Sequence, residues 1–148
     1  MVLAVMLILW TAFIFLQSAK NGEESSSDSE SVVEIIENIV RLIIPGAEIS
    51  SHFIRKLAHF TEYGILGLIG AGLVGMIRGG WLYAAAWGYA ATVALCDEFI
   101  VQRLSEGRGP QFTDVLIDSA GALAGVAFVI AVIFLVRWRK RKKVVIDG

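Results

Sequence analysis

The sequence predicts an all-α, polytopic membrane protein with four transmembrane helices and a short amphipathic or re-entrant helix in the first outer loop. Three observations lead to that class. Hydrophobic residues make up 56% of the 148 and mean hydropathy is +0.69, whereas ordinary soluble domains are about 45–50% apolar. The apolar residues are gathered into blocks near the roughly 20 residues that a bilayer-crossing helix needs. Six of the seven residues at 137–143 are Lys or Arg, and such clusters stay on the cytoplasmic side. Intrinsic disorder, a soluble enzyme and a collagen-like chain are excluded. The 13 basic and 14 acidic residues leave a net charge of −1, which gives no reason to expect a nucleic-acid partner. Cys96 is the single cysteine, so no internal disulfide forms.

The first block, residues 1–16, is short for a span, but Gln17, Ser18 and Ala19 extend it to the interface and give a helix over about 1–19. A signal peptide competes with this reading. The block lacks a basic leading region and has only a weak cleavage pattern before Lys20, which favours a retained helix. The second span covers 60–77, the third 81–101 with Asp97 and Glu98 interrupting it, and the fourth 115–136 with Asp118 near its start. Together they form a single membrane domain over 1–148, with a basic tail at 137–148.

The connection after the first span begins polar and serine-rich, as a flexible linker does. It then changes character. Ser31 and Glu34 form a capping box, and Glu34, Asn38 and Arg41, with Glu37 beside them, recur at helical spacing on an apolar segment over 32–44 that Pro45-Gly46 ends. Thirteen residues are too few to span, so this helix lies at, or dips partly into, the outer membrane surface.

The basic tail sets the orientation. With the C-terminus inside, an even number of spans places the N-terminus inside and the connections at 17–59 and 102–114 outside. Between residues 17 and 50 lie seven acids (Glu23, Glu24, Asp28, Glu30, Glu34, Glu37 and Glu48) and only Lys20 and Arg41 as strong bases, so nothing there retains the loop inside.

Ionisable residues collect at the outer ends of the second, third and fourth blocks. Arg55, His59 and Glu62 share one helical face, with Lys56 and Tyr63 beside it. Asp97 and Glu98 are followed by Gln102 and Arg103; Asp114 and Asp118 lie one turn apart and continue into Gly121 and Gly125, a small-residue stripe that should face the bundle. A charge at the bilayer centre costs about 2.5–3.5 kcal/mol, so such residues line a cavity or pair with one another. Here the acids face Arg55, Lys56, Arg103, Arg108 and His59, nearly self-neutralising. Each has a plainer explanation as well: Arg55 and Lys56 as snorkelling residues, His59 as a helix-end hydrogen-bonder, Asp97-Glu98 as the end of a span. Asp118 resists that treatment, because a largely apolar stretch of 18 residues, 119–136, follows it.

The chain resembles the VanZ-like family of small bacterial membrane proteins. The residues that carry the resemblance are R-K-x-A-H-F-x-E-Y at 55–63, D-E-x-x-x-Q at 97–102, Gly107-Arg108, and D-V-x-x-D-x-x-G-x-x-x-G at 114–125. Two departures stand out. The family spacing is D-E-x-x-Q, one residue shorter than here, and Asp118 falls where many members carry Asn. The resemblance implies a bacterial cytoplasmic membrane location, a cell-envelope role linked to glycopeptides such as teicoplanin, and no known cofactor.

Two functional readings follow, and the residues leave open whether any reaction is catalysed. In the first, the outer cluster binds or modifies an envelope lipid or a lipid-linked cell-wall precursor. His59, Glu62, Asp97, Glu98, Asp114 and Asp118 are then the acid/base candidates. Arg55, Lys56, Tyr63, Gln102 and Arg108 are the substrate-binding ones, with Lys56 and Arg108 as the anion clamp. A divalent cation on His59, Glu98 and Asp114 is an option within this reading. In the second, the charges are a structural salt-bridge network in a non-enzymatic accessory or scaffold protein. A proton or solute pathway is a third option, and would need an oligomer.

Overall fold

The computed structural model describes residues 1–20, 27, 30–36, 38, 50–76, 80–105 and 110–146, with side chains as far as Lys142. Four helices account for most of them: α1, Val2–Ser18; α2, Ser51–Gly75; α3, Leu82–Leu104; and α4, Phe112–Ile146. No strand occurs among the described residues. By length and composition α2, α3 and α4 can each cross a membrane, whereas α1 is a shorter apolar helix of 17 residues. Residues 30–36 are helical, within the expected amphipathic segment; Glu37 and residues 39–49 lie outside the described set.

α2 and α4 begin earlier, and α3 and α4 end later, than the apolar blocks alone indicate. α2 starts at Ser51, so Lys56 and His59 belong to the same continuous helix as the apolar stretch. α4 runs on through the basic residues after Val136. Backbone hydrogen bonding continues wherever no breaker intervenes, and nothing in 137–146 is Gly or Pro.

The contacts fix the directions. Trp10 Nε1 donates to the Glu62 carbonyl at 2.9 Å, and Leu3 and Leu7 meet Gly72 and Gly70, so α1 runs antiparallel to α2. Gly70 meets Ala86 and Gly75 meets Tyr83, so α3 also runs antiparallel to α2. α2 and α4 run parallel and share the most extensive contact in the fold.

The α2–α4 contact depends on missing side chains. A Cβ on Gly121 would collide with the Phe60 carbonyl, one on Gly125 with the Gly64 carbonyl, and one on Gly67 with the Ala122 backbone. Small residues let the two backbones approach within van der Waals distance, the usual means of association where lipid removes the hydrophobic drive. The stripe expected from Gly121 and Gly125 does face the bundle.

The core is thin and lies where the helices converge: Ile14, Tyr63, Leu66, Ala90, Val93, Ala94, Val115 and Ala122 are buried together. The large apolar residues Phe128, Ile130, Phe134 and Leu135 of α4 point outward. A soluble protein rarely exposes such a surface, whereas a hydrocarbon environment accommodates it.

Candidate functional site

The C-terminal ends of α1 and α3 and the N-terminal halves of α2 and α4 meet at one end of the bundle, and the buried polar residues are concentrated there. Asp97, Glu98 and Asp118 are 0% exposed, Ser18 is 2% and Gln102 is 5%. Desolvating a carboxylate is costly unless its oxygens are compensated, so the partners decide what each acid can do.

Residues 97–101 of α3 form a π turn, in which the Gln102 amide donates to the Asp97 carbonyl five residues back. A π turn holds one residue more than an α turn. It therefore absorbs the additional residue noted between Glu98 and Gln102. Gln102 Nε2 donates to Glu98 Oε2 at 2.6 Å, an i, i+4 contact that any helical turn allows, and the π turn brings it also to Asp97 Oδ2 at 3.3 Å. The Gln111 amide donates to the other Glu98 oxygen, tying α3 to the start of α4. Both oxygens of Glu98 are thus occupied.

Asp97 is held from one side only. Ser18 Oγ donates to Asp97 Oδ2 at 2.8 Å, the same oxygen that Gln102 reaches. Oδ1 is buried and receives no hydrogen bond among the described residues, and the same holds for both oxygens of Asp118 and the Tyr63 hydroxyl. His59 Nδ1 lies 3.5 Å from Asp118 Oδ1, a charge contact too long to satisfy either atom as a hydrogen bond. The His59 side chain is only 12% exposed. One ligand-capable atom from each of His59, Asp97 and Asp118 falls within 4.8 Å of the other two.

Asp114 belongs to a separate pair. Lys56 Nζ donates to Asp114 Oδ1 at 3.0 Å, with the two side chains 27% and 16% exposed. This alters two expectations. The metal-capable group is His59, Asp97 and Asp118, in place of His59, Glu98 and Asp114, because Glu98 is engaged by Gln102 and Gln111 and Asp114 by Lys56. Lys56 is likewise engaged by a neighbour on α4. Arg55 approaches the exposed His52 at 3.4 Å, one turn back on its own helix. Glu62 carries the carbonyl that accepts from Trp10 and contributes to the electrostatic field at His59. Arg108 lies outside the described residues.

Two features escape the sequence. Ser18 is a site residue, although in the sequence it is only a small polar residue extending an apolar block; its single signal is position, at the same outer level as the other polar helix ends. An apolar cleft of about 380 Å³ also opens between α1, α2 and residues 32 and 36, lined by Trp10, Phe13, Ile54, Leu57, Thr61 and Ile65 among others.

With this geometry in place, the comparison with known proteins is decisive at one level. A family model described as VanZ/LLP1 matches residues 3–136. The chain belongs to the VanZ-like family. The match ends at the last apolar residue before the basic tail and takes in all four helices of the bundle. No curated protein and no solved structure matches the chain. In this VanZ-like protein the longer D-E-x-x-x-Q spacing costs no contact, because the π turn returns Gln102 to the acids.

Proposed function

We propose that this VanZ-like protein is a four-span envelope membrane protein that binds an anionic, lipid-anchored molecule at the polar end of its bundle. The molecule is an envelope phospholipid or a lipid-linked cell-wall precursor. Its capture would reduce what a glycopeptide such as teicoplanin can reach. In this reading α1 is the fourth span; its 17 residues extend about 25 Å, and Gln17 to Ala19 bring it to the interface. The basic tail keeps both termini cytoplasmic, and the polar end faces outward.

One juxtaposition supports the reading best. The apolar cleft runs along residues 54–65 of α2, the stretch that also carries Lys56, His59 and Tyr63 toward the polar cluster. The cleft lining (Ile54, Leu57, Ala58, Thr61 and Ile65) and the polar residues Lys56, His59 and Tyr63 occupy opposite faces of this stretch, so a hydrocarbon tail would lie on one face and a polar head would reach the other round the outer end of α2. Within this reading His59 and Asp118 are the proton-handling pair, because they touch each other and have atoms left without hydrogen bonds.

The test uses purified protein in nanodiscs with photoactivatable analogues of phosphatidylglycerol and of a polyprenyl phosphate. Crosslinks concentrated on Trp10, Phe13 and residues 54–65, and reduced by Ala58→Trp, are expected. Labelling spread evenly over the lipid-facing surface of α4 would remove the binding reading.

The Lys56–Asp114 pair favours a second reading, a scaffold protein whose charges are structural. A closed ion pair between parallel helices sets their register without requiring a ligand. The lipid reading is preferred because Asp97 and Asp118, unlike Asp114, are not closed in this way.

A further inference from the structure

We propose that His59, Asp97 and Asp118 form a binding site for one divalent transition-metal ion, of the Zn²⁺ or Mn²⁺ class. The proposal rests on the geometry of three side chains and not on the lipid reading; with an ion bound, His59 and Asp118 would act as ligands in place of a proton-handling pair.

Geometry is the first argument. Ligand atoms from α2, α3 and α4 lie within 4.8 Å of one another, the spread allowed to atoms each about 2.0–2.6 Å from a common ion. One imidazole with two carboxylates is a mixed donor set that suits Zn²⁺ or Mn²⁺ better than Mg²⁺ or Ca²⁺.

The pattern of satisfied and unsatisfied atoms is the second, and it is independent of the first. Asp97 receives both of its hydrogen bonds, from Ser18 and Gln102, on Oδ2, which leaves Oδ1 buried and bare. That is the arrangement of a ligating carboxylate, with the outer oxygen oriented by donors and the inner one presented to a metal. Both oxygens of Asp118 and Nδ1 of His59 are likewise buried without a hydrogen bond among the described residues. Tyr63, 0% exposed, has a hydroxyl in the same condition and lies within electrostatic reach of Asp97 and Asp118.

Charge is the third. Ligation requires the carboxylates ionised and the imidazole neutral, a set that would carry −2 and whose charge one divalent ion would cancel in the apolar bundle. Asp114 and Glu98 do not compete for it, since Lys56 holds one and Gln102 with Gln111 the other.

The experiment is equilibrium dialysis of the chelator-stripped, full-length protein in detergent against micromolar Zn²⁺ or Mn²⁺. Bound metal is measured by elemental analysis and Tm is recorded with and without the ion. The expected result is one ion per chain and a Tm that rises with ion concentration. His59→Ala, Asp97→Asn and Asp118→Asn should abolish both effects. Ser18→Ala, which removes only an orienting donor, should weaken affinity about 10–100-fold. His52→Ala and Cys96→Ala remove the other imidazole and the only thiol, and should leave the ion bound. The proposal is overturned if the stripped wild type retains no ion, or if His59→Ala and Asp118→Asn retain it as tightly as the wild type. It is equally overturned if Asp118→Asn lowers Tm by the same amount with and without metal, the mark of a purely structural acid. Should an Asp variant fail to fold, Ser18→Ala decides by its affinity, and unchanged affinity there counts against the site.

Discussion

Gln102 reaches Asp97 across a π turn, its carboxamide nitrogen 3.3 Å from Oδ2 while its own amide closes the five-residue backbone ring. An ordinary α turn would rotate Gln102 about 100° per residue away from that position. The extra residue and the changed hydrogen bonding offset each other, which makes the pair testable by deletion.

Removing Ile100 should convert the π turn into an α turn and keep Gln102 on the acids. The deletion variant is expected to fold in membranes with a Tm close to that of the wild type. Removing Ala91, in the regular part of α3, has no such compensation: it rotates Asp97, Glu98 and Gln102 off the bundle face together. Loss of the monodisperse detergent-solubilised peak for the Ala91 deletion alone is the expected outcome. Equal loss for both would mean that the π turn is not what restores the register.

The parallel α2–α4 contact should be intolerant of a side chain at Gly67, Gly121 or Gly125. Gly125→Ala and Gly67→Ala each place a Cβ into opposing backbone, and overpacking of this kind costs about 1–3 kcal/mol or more where the backbone must move. Gly88 has nothing within 4 Å, so Gly88→Ala should raise Tm slightly, by the roughly 0.5–1 kcal/mol that helical alanine gains over glycine. Thermal unfolding of the three variants in one detergent checks the contrast of sign.

The Lys56–Asp114 pair can be inverted. Lys56→Asp or Asp114→Lys alone replaces the 3.0 Å ion pair with two like charges facing each other, and with both side chains partly exposed the expected loss is about 1–2 kcal/mol. The double exchange should recover most of that stability. If it also restores the anionic-lipid crosslinking, the pair acts only as scaffold; if stability returns while the crosslinking does not, Lys56 takes part in binding.

Orientation has a direct readout. In a Cys96→Ala background, a cysteine at the exposed residue Ser27 should react with a membrane-impermeant maleimide on intact cells, and one at Arg139 should react only after permeabilisation. Reversal of the two would invert the topology and place the polar end in the cytoplasm.

How much of this was legible without coordinates differs by residue. Asp118 was legible, since a carboxylate followed by a long apolar run has no inexpensive place in a membrane except facing other helices. Gly121 and Gly125 were legible through their spacing. Glu98 and Asp97 are neighbours of identical charge type, and nothing in the sequence separates the acid enclosed by Gln102 and Gln111 from the acid left half bare beside His59. Ser18 was legible only by its level along the bundle, because its role exists through a partner 79 positions away.

The sequence by itself determined the solvent, the helices and the end of the bundle where polar groups gather. Those follow from hydropathy, period and charge, which are properties of short stretches of chain. Tertiary structure decided which acid meets which partner: Lys56 with Asp114, Gln102 with Glu98, and His59 with Asp97 and Asp118. A hydrogen bond or a metal ligand requires placement within a few tenths of an ångström, and that depends on the glycine-mediated approach of α2 to α4 and on the extra residue in the π turn. Such placement arises from packing between helices and has no local signature.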